Sequence, residues 1–289
     1  MPDLSVIVPV HNEEPAVGDV VRELHAVLAG APEVGSFEVL VVDDGSTDGT
    51  AEAVRQAAEG KPQVRLLQRP RNRGYGDAVK HGLRQAAHDL VAICDGDGTY
   101  PAEKLPEMVR EMADAAMVVG ARSRAGAIPF IRRPAKRLLT ALASYLAEER
   151  IPDLNSGLRV FRKQACLRFL RLLPPRFSFT TTLTLALLCE GQAVKYVPID
   201  YRPRAGTSKI RPVRDTLAFF LLVATTITYF RPLKVLVPLA AVLFVAGLVK
   251  GTVDVAVEAN LKTSDLLLLV AGVQLFALAL LADLVAKTR

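Results

Sequence analysis

Five short runs rich in Val, Ile and Leu occupy 4–10, 38–42, 64–67, 90–94 and 116–119, and turn-forming residues bound them. Stretches with helical spacing lie between them, at about 16–29, 50–58, 76–87 and 102–112. Strand and helix alternating in this way can only be closed by crossover connections, which make neighbouring strands parallel and lay helices on the sheet. The expected class is therefore α/β with a mostly parallel, Rossmann-like sheet. In such sheets ligands sit beyond the carboxyl ends of the strands.

Three polar clusters follow those ends. They are Pro9-Val10-His11-Asn12-Glu13-Glu14, Asp43-Asp44-Gly45-Ser46-Thr47-Asp48 and Asp95-Gly96-Asp97-Gly98-Thr99. One such cluster could be a turn entering a helix cap, as Ser46 to Thr50 suggests. Three on one sheet edge point to a binding site. Asp95 and Asp97, one residue apart at a strand end, suit a hard divalent cation, which takes oxygen ligands and keeps waters and phosphate oxygens.

The chain changes character near residue 230. Residues 235–249 are uninterruptedly apolar, and 266–282 are broken only by Gln274, with a possible extension to 286. A membrane span needs about 20 such residues, range about 17–25. The second run qualifies directly, and the first does so if Lys234 and Lys250 snorkel. A buried hairpin in a soluble domain is the competing reading. Residues 217–230, interrupted by Thr225, Thr226 and Thr228, read as an interfacial helix, with a third span as the alternative. The expected division is 1–210 catalytic, 211–231 basic and juxtamembrane, and 232–289 a two-helix transmembrane hairpin.

Charge is distributed unevenly. Residues 1–119 hold 11 basic and 20 acidic groups, 120–214 hold 19 and 5, and 215–289 hold 6 and 5. Basic residues crowd the segment before the spans, while the link at 250–265 is short and mixed. The positive-inside rule then expects a multi-pass protein with the large domain and both termini in the cytosol. Cys94, Cys166 and Cys189 are odd in number and far apart, which fits a reducing compartment. The chain opens on a strand-like run, so no cleavable leader is expected.

Val6-Ile7-Val8-Pro9-Val10-His11-Asn12-Glu13, Val41-Val42-Asp43-Asp44-Gly45-Ser46-Thr47-Asp48, Asn72-Arg73-Gly74 with Ala78, and Asp95-Gly96-Asp97 together resemble the family-two glycosyltransferases, which bind a nucleotide-sugar on a GT-A fold. The resemblance covers about residues 4–210. It implies that Pro9, His11, Glu13 and Asp44 surround the base and ribose, and that Asp95 and Asp97, with Gly96 between them, hold Mg²⁺ or Mn²⁺ on the diphosphate. His11 stands where the family often has Tyr. Asp153-Leu154-Asn155-Ser156-Gly157-Leu158-Arg159 and Tyr201-Arg202-Pro203-Arg204-Ala205-Gly206-Thr207-Ser208-Lys209 look like elements of the polyprenyl-phosphate branch, the dolichyl-phosphate mannose synthase and bacterial undecaprenyl-phosphate glucosyltransferase type. Mannose synthases carry a Gln as a further metal ligand where this chain has Thr99.

Chemistry independent of that likeness points to the same acceptor. A sugar hydroxyl must lose a proton as it attacks, so its transferase needs a carboxylate base. A phosphate monoester, with a second pKa of about 6, is already ionised and needs cations to position it. Residues 177–188, where polymerising relatives present an acidic base, contain no Asp or Glu. The middle region supplies the cations. Arg122 and Lys209 are assigned to phosphate contacts with the donor. Arg133, Arg137, Arg202 and Arg204, with Ser156, are assigned to the acceptor phosphate, while Arg132 and Lys136 join Arg133 and Arg137 in facing lipid. Anionic headgroups would add about 1 kcal/mol per charge. Asp153 could orient the acceptor, act as a base or bond Arg159.

The reading is an inverting, metal-dependent hexosyltransferase, with Asp97, Asp153 and Arg122 as the catalytic candidates, a UDP- or GDP-sugar as donor and polyprenyl phosphate as acceptor. Its rivals are a processive polysaccharide synthase, a transferase to a lipid hydroxyl, and a non-catalytic nucleotide-sugar-binding adaptor. The first would carry a Gln-x-x-Arg-Trp motif, and this chain has no Trp. Nucleic-acid binding is not expected, because the basic patch adjoins the spans and has no reader motif. The oligomeric state is left open, a homo-oligomer included.

Overall fold

The computed structural model describes residues 1–123, 143–145, 148–175, 178–202 and 212–288. The described chain divides into two compact units, Met1–Phe219 and Phe220–Arg289. The first is built on β1 (Leu4–Val10), β2 (Phe37–Asp43), β3 (Val64–Gln68), β4 (Leu90–Ile93), β5 (Met117–Arg122), β6 (Arg159–Arg162) and β7 (Val194–Ile199). Their order in the sheet is β3-β2-β1-β4-β6-β5-β7. β1 through β4 run parallel, β6 is antiparallel to both β4 and β5, and β7 is parallel to β5.

The described helices of this unit include α1 (Glu14–Ala29), α2 (Thr50–Ala58), α3 (Tyr75–Gln85), α4 (Leu105–Arg110), α5 (Lys163–Leu167) and α6 (Phe179–Cys189). All seven residues of β1 are buried, as a central parallel strand covered on both faces requires. Val17, Val20, Val21, Leu24 and Leu28 form the buried stripe of α1 and join Val6, Val8 and Val41 in the core. Arg159, Phe161 and Phe179 are the bulkiest of the fully buried side chains.

The five expected strands and the first three expected helices appear within about three residues of their sequence-derived bounds, β5 running three residues past its expected end. One expected helix, 102–112, divides into a 3₁₀ turn at Ala102–Lys104 and then α4. Pro106 explains the division: a residue with no N–H is tolerated in the first turn of a helix but not in its interior. β6, β7 and α6 have no counterpart among the sequence-derived elements. β6 begins and ends with Arg, β7 carries Pro198, and α6 is buried all round and so has no amphipathic period.

The antiparallel direction of β6 decides which residues reach the carboxyl edge of the sheet. Its first residue, Arg159, lies opposite Ile93 at the end of β4 and opposite Val119 near the end of β5. Residues 153–158 are therefore delivered to the edge where β1, β2, β4, β5 and β7 finish. A parallel strand in that place would have put them at the opposite edge.

Further along the chain, α7 (Pro212–Phe230) leads to α8 (Pro232–Glu258) and α9 (Thr263–Lys287). α8 and α9 are long and apolar enough to cross a membrane, and only 17% and 11% of their most apolar windows are buried. Small residues face inward at Ala240, Gly247, Gly251, Gly272 and Ala279, while Val242, Leu248, Val273 and Leu281 are exposed. This pattern suits a hairpin whose outer surface meets lipid and whose helices approach closely. The helices outrun the apolar runs because their charges are paired: Lys250 bonds Asp254 at 2.8 Å and Asp265 at 2.5 Å, and Lys262 bonds Glu258 at 2.7 Å.

α3 lies so close to β1 that a Cβ at Gly82 would sit 2.7 Å from Ile7 Cγ2 and 3.1 Å from Val42 Cγ2. Both neighbours are fully buried. Gly82→Ala should therefore overpack this layer by about 1–3 kcal/mol, lowering the thermal midpoint by about 2–4 °C per kcal/mol. A thermal melt with an unchanged midpoint would show that α3 does not pack at this distance.

Candidate active site

The carboxyl edge of the sheet is assembled from loops that bond to one another. After β1, the Asn12 amide donates to Ser46 Oγ at 3.0 Å, and Asn12 Oδ1 accepts from the Thr47 amide at 2.8 Å. The Glu13 amide donates to Thr50 Oγ1 at 2.9 Å, and the Gly49 amide donates to Glu14 Oε2 at 3.0 Å. These four bonds fasten the β1–α1 loop to the β2–α2 loop. Pro9 is buried in β1, and the buried Nδ1 of His11 has no hydrogen-bond partner among the described residues.

Asp44 is buried beneath this edge. Its carboxylate accepts from the Gly74 amide at 2.6 Å, from the Arg73 amide at 3.0 and 3.1 Å, and from Arg69 Nη1 at 2.8 Å. Arg69 also pairs with Asp77. Asp44 thus pins the segment Asn72-Arg73-Gly74, and its own oxygens face that segment.

Beside this frame, β4 ends at Ile93 and delivers Asp95 and Asp97. The turn is tight against β1, since a Cβ at Gly96 would lie 2.3 Å from Val10 Cγ1. It is equally tight against the segment before β6, because a Cβ at Gly157 would lie 2.3 Å from Asp95 Oδ2. Both places admit only glycine without rearrangement. The Gly157 amide donates to the Tyr100 hydroxyl at 2.7 Å, which fixes that approach.

Asp95 Oδ1 is buried and has no hydrogen-bond partner among the described residues. Burial, with the Asp97 carboxylate adding to it, pushes the Asp95 pKa up to about 6. Asp97 is oriented by Thr99, whose hydroxyl donates to Oδ1 at 2.6 Å and whose amide donates at 3.2 Å. Among the described residues no group of three His, Cys, Asp or Glu is placed to hold a metal ion. Two carboxylates, one with an oxygen that lacks any donor, fit a hard cation that takes its other ligands from phosphate oxygens and water.

The cationic side of the edge comes from β5, β6 and β7. Arg122 ends β5, and Asp153 holds its guanidinium at two points, Nε to Oδ2 at 2.6 Å and Nη2 to Oδ1 at 2.9 Å. Its Cζ lies 5.4 Å from the centroid of the Tyr201 ring, which packs edge-on against Tyr100 at 5.1 Å. Burial alone would lower the Arg122 pKa, but the hydrogen bonds and charge of Asp153 outweigh it and the net direction is up. Arg122 is also one of the charges that favour ionised Asp95.

Arg159 is fully buried and holds the preceding loop. Its Nε donates to the Ser156 carbonyl at 3.1 Å, and its Nη1 donates to the Thr180 carbonyl at 2.9 Å and to Thr184 Oγ1 at 3.1 Å. Ser156 is buried too, with an Oγ that has no partner among the described residues. Arg202, assigned to the acceptor phosphate, is paired within the fold. Its guanidinium is taken up by Glu23 at 2.9 and 3.0 Å and by Glu103 at 3.0 Å, so two carboxylates already neutralise a group assigned to the acceptor phosphate. Arg133, Arg137, Arg204 and Lys209 lie outside the described residues, as do Arg132 and Lys136.

Pro9, His11, Glu13, Asp95, Gly96, Asp97, Arg122, Asp153 and Ser156 are thus brought to one sheet edge from four separate segments. Sequence reasoning does not single out Tyr100, Tyr201 or Arg69. Their contributions are a ring face, a ring edge and a counter-ion, none of which leaves a spacing signature.

Residues 5–169 match the family model described as Glycosyl transferase family 2, and residues 231–288 match the model described as GtrB C-terminal hairpin. A dolichyl-phosphate hexose transferase of Haloferax volcanii is 32% identical over 217 residues, covering 73% of this chain and 87% of that protein. A dolichyl-phosphate beta-glucosyltransferase of Trichomonas vaginalis is 29% identical over 227 residues, and the match spans 72% of this chain and 66% of the relative. Among solved structures, glucosyl-3-phosphoglycerate synthase from Mycobacterium tuberculosis, in complex with Mn²⁺, UDP and glucosyl-3-phosphoglycerate, superposes with a TM-score of 0.61 at 19% identity. That match covers 79% of this chain and 80% of the other, and it establishes the GT-A fold. The chain is a glycosyltransferase and belongs to glycosyl transferase family 2.

Proposed function

We propose that this enzyme transfers a hexose from a UDP- or GDP-sugar to a polyprenyl phosphate at the cytosolic face of a membrane, with inversion and with Mg²⁺ or Mn²⁺ as cofactor. The observation that carries the reading is the pairing, on one sheet edge, of Asp95 and Asp97 with the guanidinium of Arg122. The carboxylates suit a cation bridging a diphosphate, and the guanidinium suits a second anion. The names of the relatives support a lipid-phosphate acceptor. Residues 1–210 would form the catalytic domain, 211–231 an interfacial segment and 232–289 the membrane hairpin.

In this reading the β1–α1 and β2–α2 loops hold the nucleoside, with Pro9, His11 and Glu13 lining it and Asp44 acting through the segment it pins. Asp95 and Asp97 would hold the metal, which supplies charge neutralisation for the departing diphosphate. Arg122 and Ser156, with Arg133 and Arg137 outside the described residues, would hold phosphate oxygens in line with the anomeric carbon. An acceptor phosphate oxygen forms its bond to that carbon as the carbon–oxygen bond to the diphosphate breaks. The electron pair leaves with the diphosphate, and no proton has to be removed. A single displacement inverts the linkage.

Membrane topology is argued from the charges. Arg231 and Lys234 precede the first span, and Lys287 follows the second. Placing these on the cytosolic side puts the active site where nucleotide-sugars are made.

Purified full-length enzyme given undecaprenyl or dolichyl phosphate and a panel of radiolabelled UDP- and GDP-sugars should yield a labelled lipid with one of them. EDTA should abolish the product, and Mg²⁺ or Mn²⁺ should restore it. A product that forms undiminished in EDTA would contradict the role given to Asp95 and Asp97. Gly157→Ala should push the Asp95 carboxylate from its place and lower turnover by roughly 10- to 100-fold. Wild-type turnover in that variant would show that the Gly157 contact does not set the carboxylate.

A further inference from the structure

Asp153 and Arg122 are unequally placed. The Asp153 side chain is 4% exposed and that of Arg122 is 25% exposed. The carboxylate is the more deeply buried member of the pair. Its oxygens are also fully subscribed. Oδ2 accepts from Arg122 Nε at 2.6 Å and from the Arg122 amide at 3.3 Å, and Oδ1 accepts from Arg122 Nη2 at 2.9 Å and from the Asn155 amide at 3.2 Å. Among the described residues, four donors already occupy the roughly four acceptor positions of a carboxylate.

A general base needs a lone pair within hydrogen-bond reach of the proton it removes. The Asp153 lone pairs are taken up by donors of Arg122 and Asn155. Arg122, in contrast, is fixed on three sides, by the two-point carboxylate contact, by its backbone in β5 and by the Tyr201 ring beneath it. The guanidinium edge at Nη1 has no hydrogen bond among the described residues. An arginine held in this way presents a planar, pre-aimed pair of N–H groups, which is the geometry that receives phosphate oxygens.

We infer that Asp153 is a positioning residue that aims Arg122 at a substrate phosphate, and that it removes no proton from the acceptor. The inference rests on the proposed transferase function and assigns to Asp153 one of the roles its sequence context leaves open. The chemistry served is a phosphate oxygen, whether of the lipid phosphate or of the donor diphosphate. Arg159 and Tyr196 also act on Asp153 electrostatically, and neither opens a path from its oxygens to the site.

The test uses full-length enzyme in detergent. KM for each substrate and kcat are measured from pH 5.5 to 8.5 for the parent, Asp153→Asn, Arg122→Gln and the double variant. Asp153→Asn should raise KM for the substrate whose phosphate Arg122 holds by about tenfold or more, and the ionisations in the kcat profile should stay in place. The substrate whose KM moves identifies the phosphate. On the Arg122→Gln background, Asp153→Asn should cost no more than about threefold, because a residue acting only through Arg122 has nothing left to position. Loss of an ionisation from the kcat profile with KM unchanged, or effects that multiply in the double variant, would overturn the assignment. If Asp153→Asn does not fold, Asp153→Glu keeps a carboxylate but breaks the two-point contact. It should raise the same KM, and an unchanged KM with reduced kcat would overturn the assignment instead. A parent enzyme that glycosylates polyprenol but not polyprenyl phosphate would contradict the proposed acceptor. The donor KM and the double-variant comparison would still judge Asp153.

Discussion

The approach of two carboxylates at the end of β4, one of them with a buried oxygen that no described donor reaches, is the constraint around which this site is arranged. Such a pair is unfavourable by itself, because burial and mutual repulsion both oppose the second negative charge. Tyr75, Arg159 and Arg122 offset part of that cost for Asp95 without removing it, since its pKa still stands at about 6. Gly96 is pressed against Val10 and Gly157 against Asp95, so the turn is held in place by backbone contacts that a larger residue would break. A fold that keeps such a pair taut retains a place where a cation stabilises what the protein alone does not.

Topology supplies the group that holds the opposite charge in place. β6 runs antiparallel between β4 and β5, and this reversal brings Asp153, Ser156 and Gly157 to the edge that Asp95, Asp97 and Arg122 already occupy. The charge partition along the chain has the same logic. The acidic first 119 residues build the frame and the carboxylate pair, and the basic middle region brings the guanidinium groups. On the proposed function, departing and attacking phosphates are met by different halves of one domain. On the same reading the hairpin would hold that domain at the membrane, where a lipid acceptor is found.

Much of the fold is legible in the sequence because periodicity reports burial. The alternation of short apolar strands with helices marks β1 to β5, and helix 50–58 appears with its expected bounds. The carboxylate pair is legible because a strand running into Asp-x-Asp leaves few structural readings. What the sequence hides, it hides for physical reasons. Arg159 sits inside a buried strand, where a charge disguises the pattern, and its partners are main-chain carbonyls that sequence does not mark. Asp44 is legible as a site residue, yet its oxygens turn inward to the Arg73 and Gly74 amides, a choice set by a loop 29 or 30 residues away. Arg202 reads as a free cation because Glu23 and Glu103 are distant in sequence. Its counter-ions become visible only with the fold.

The most direct measurement is a crystal structure of the enzyme with Mn²⁺ and the matching nucleoside diphosphate, with diffraction recorded at the manganese edge. The account predicts one anomalous peak within coordinating distance of Asp95, Asp97 and the diphosphate oxygens. A diphosphate bound at the strand ends with the manganese elsewhere, or with those carboxylates turned away from it, would contradict it.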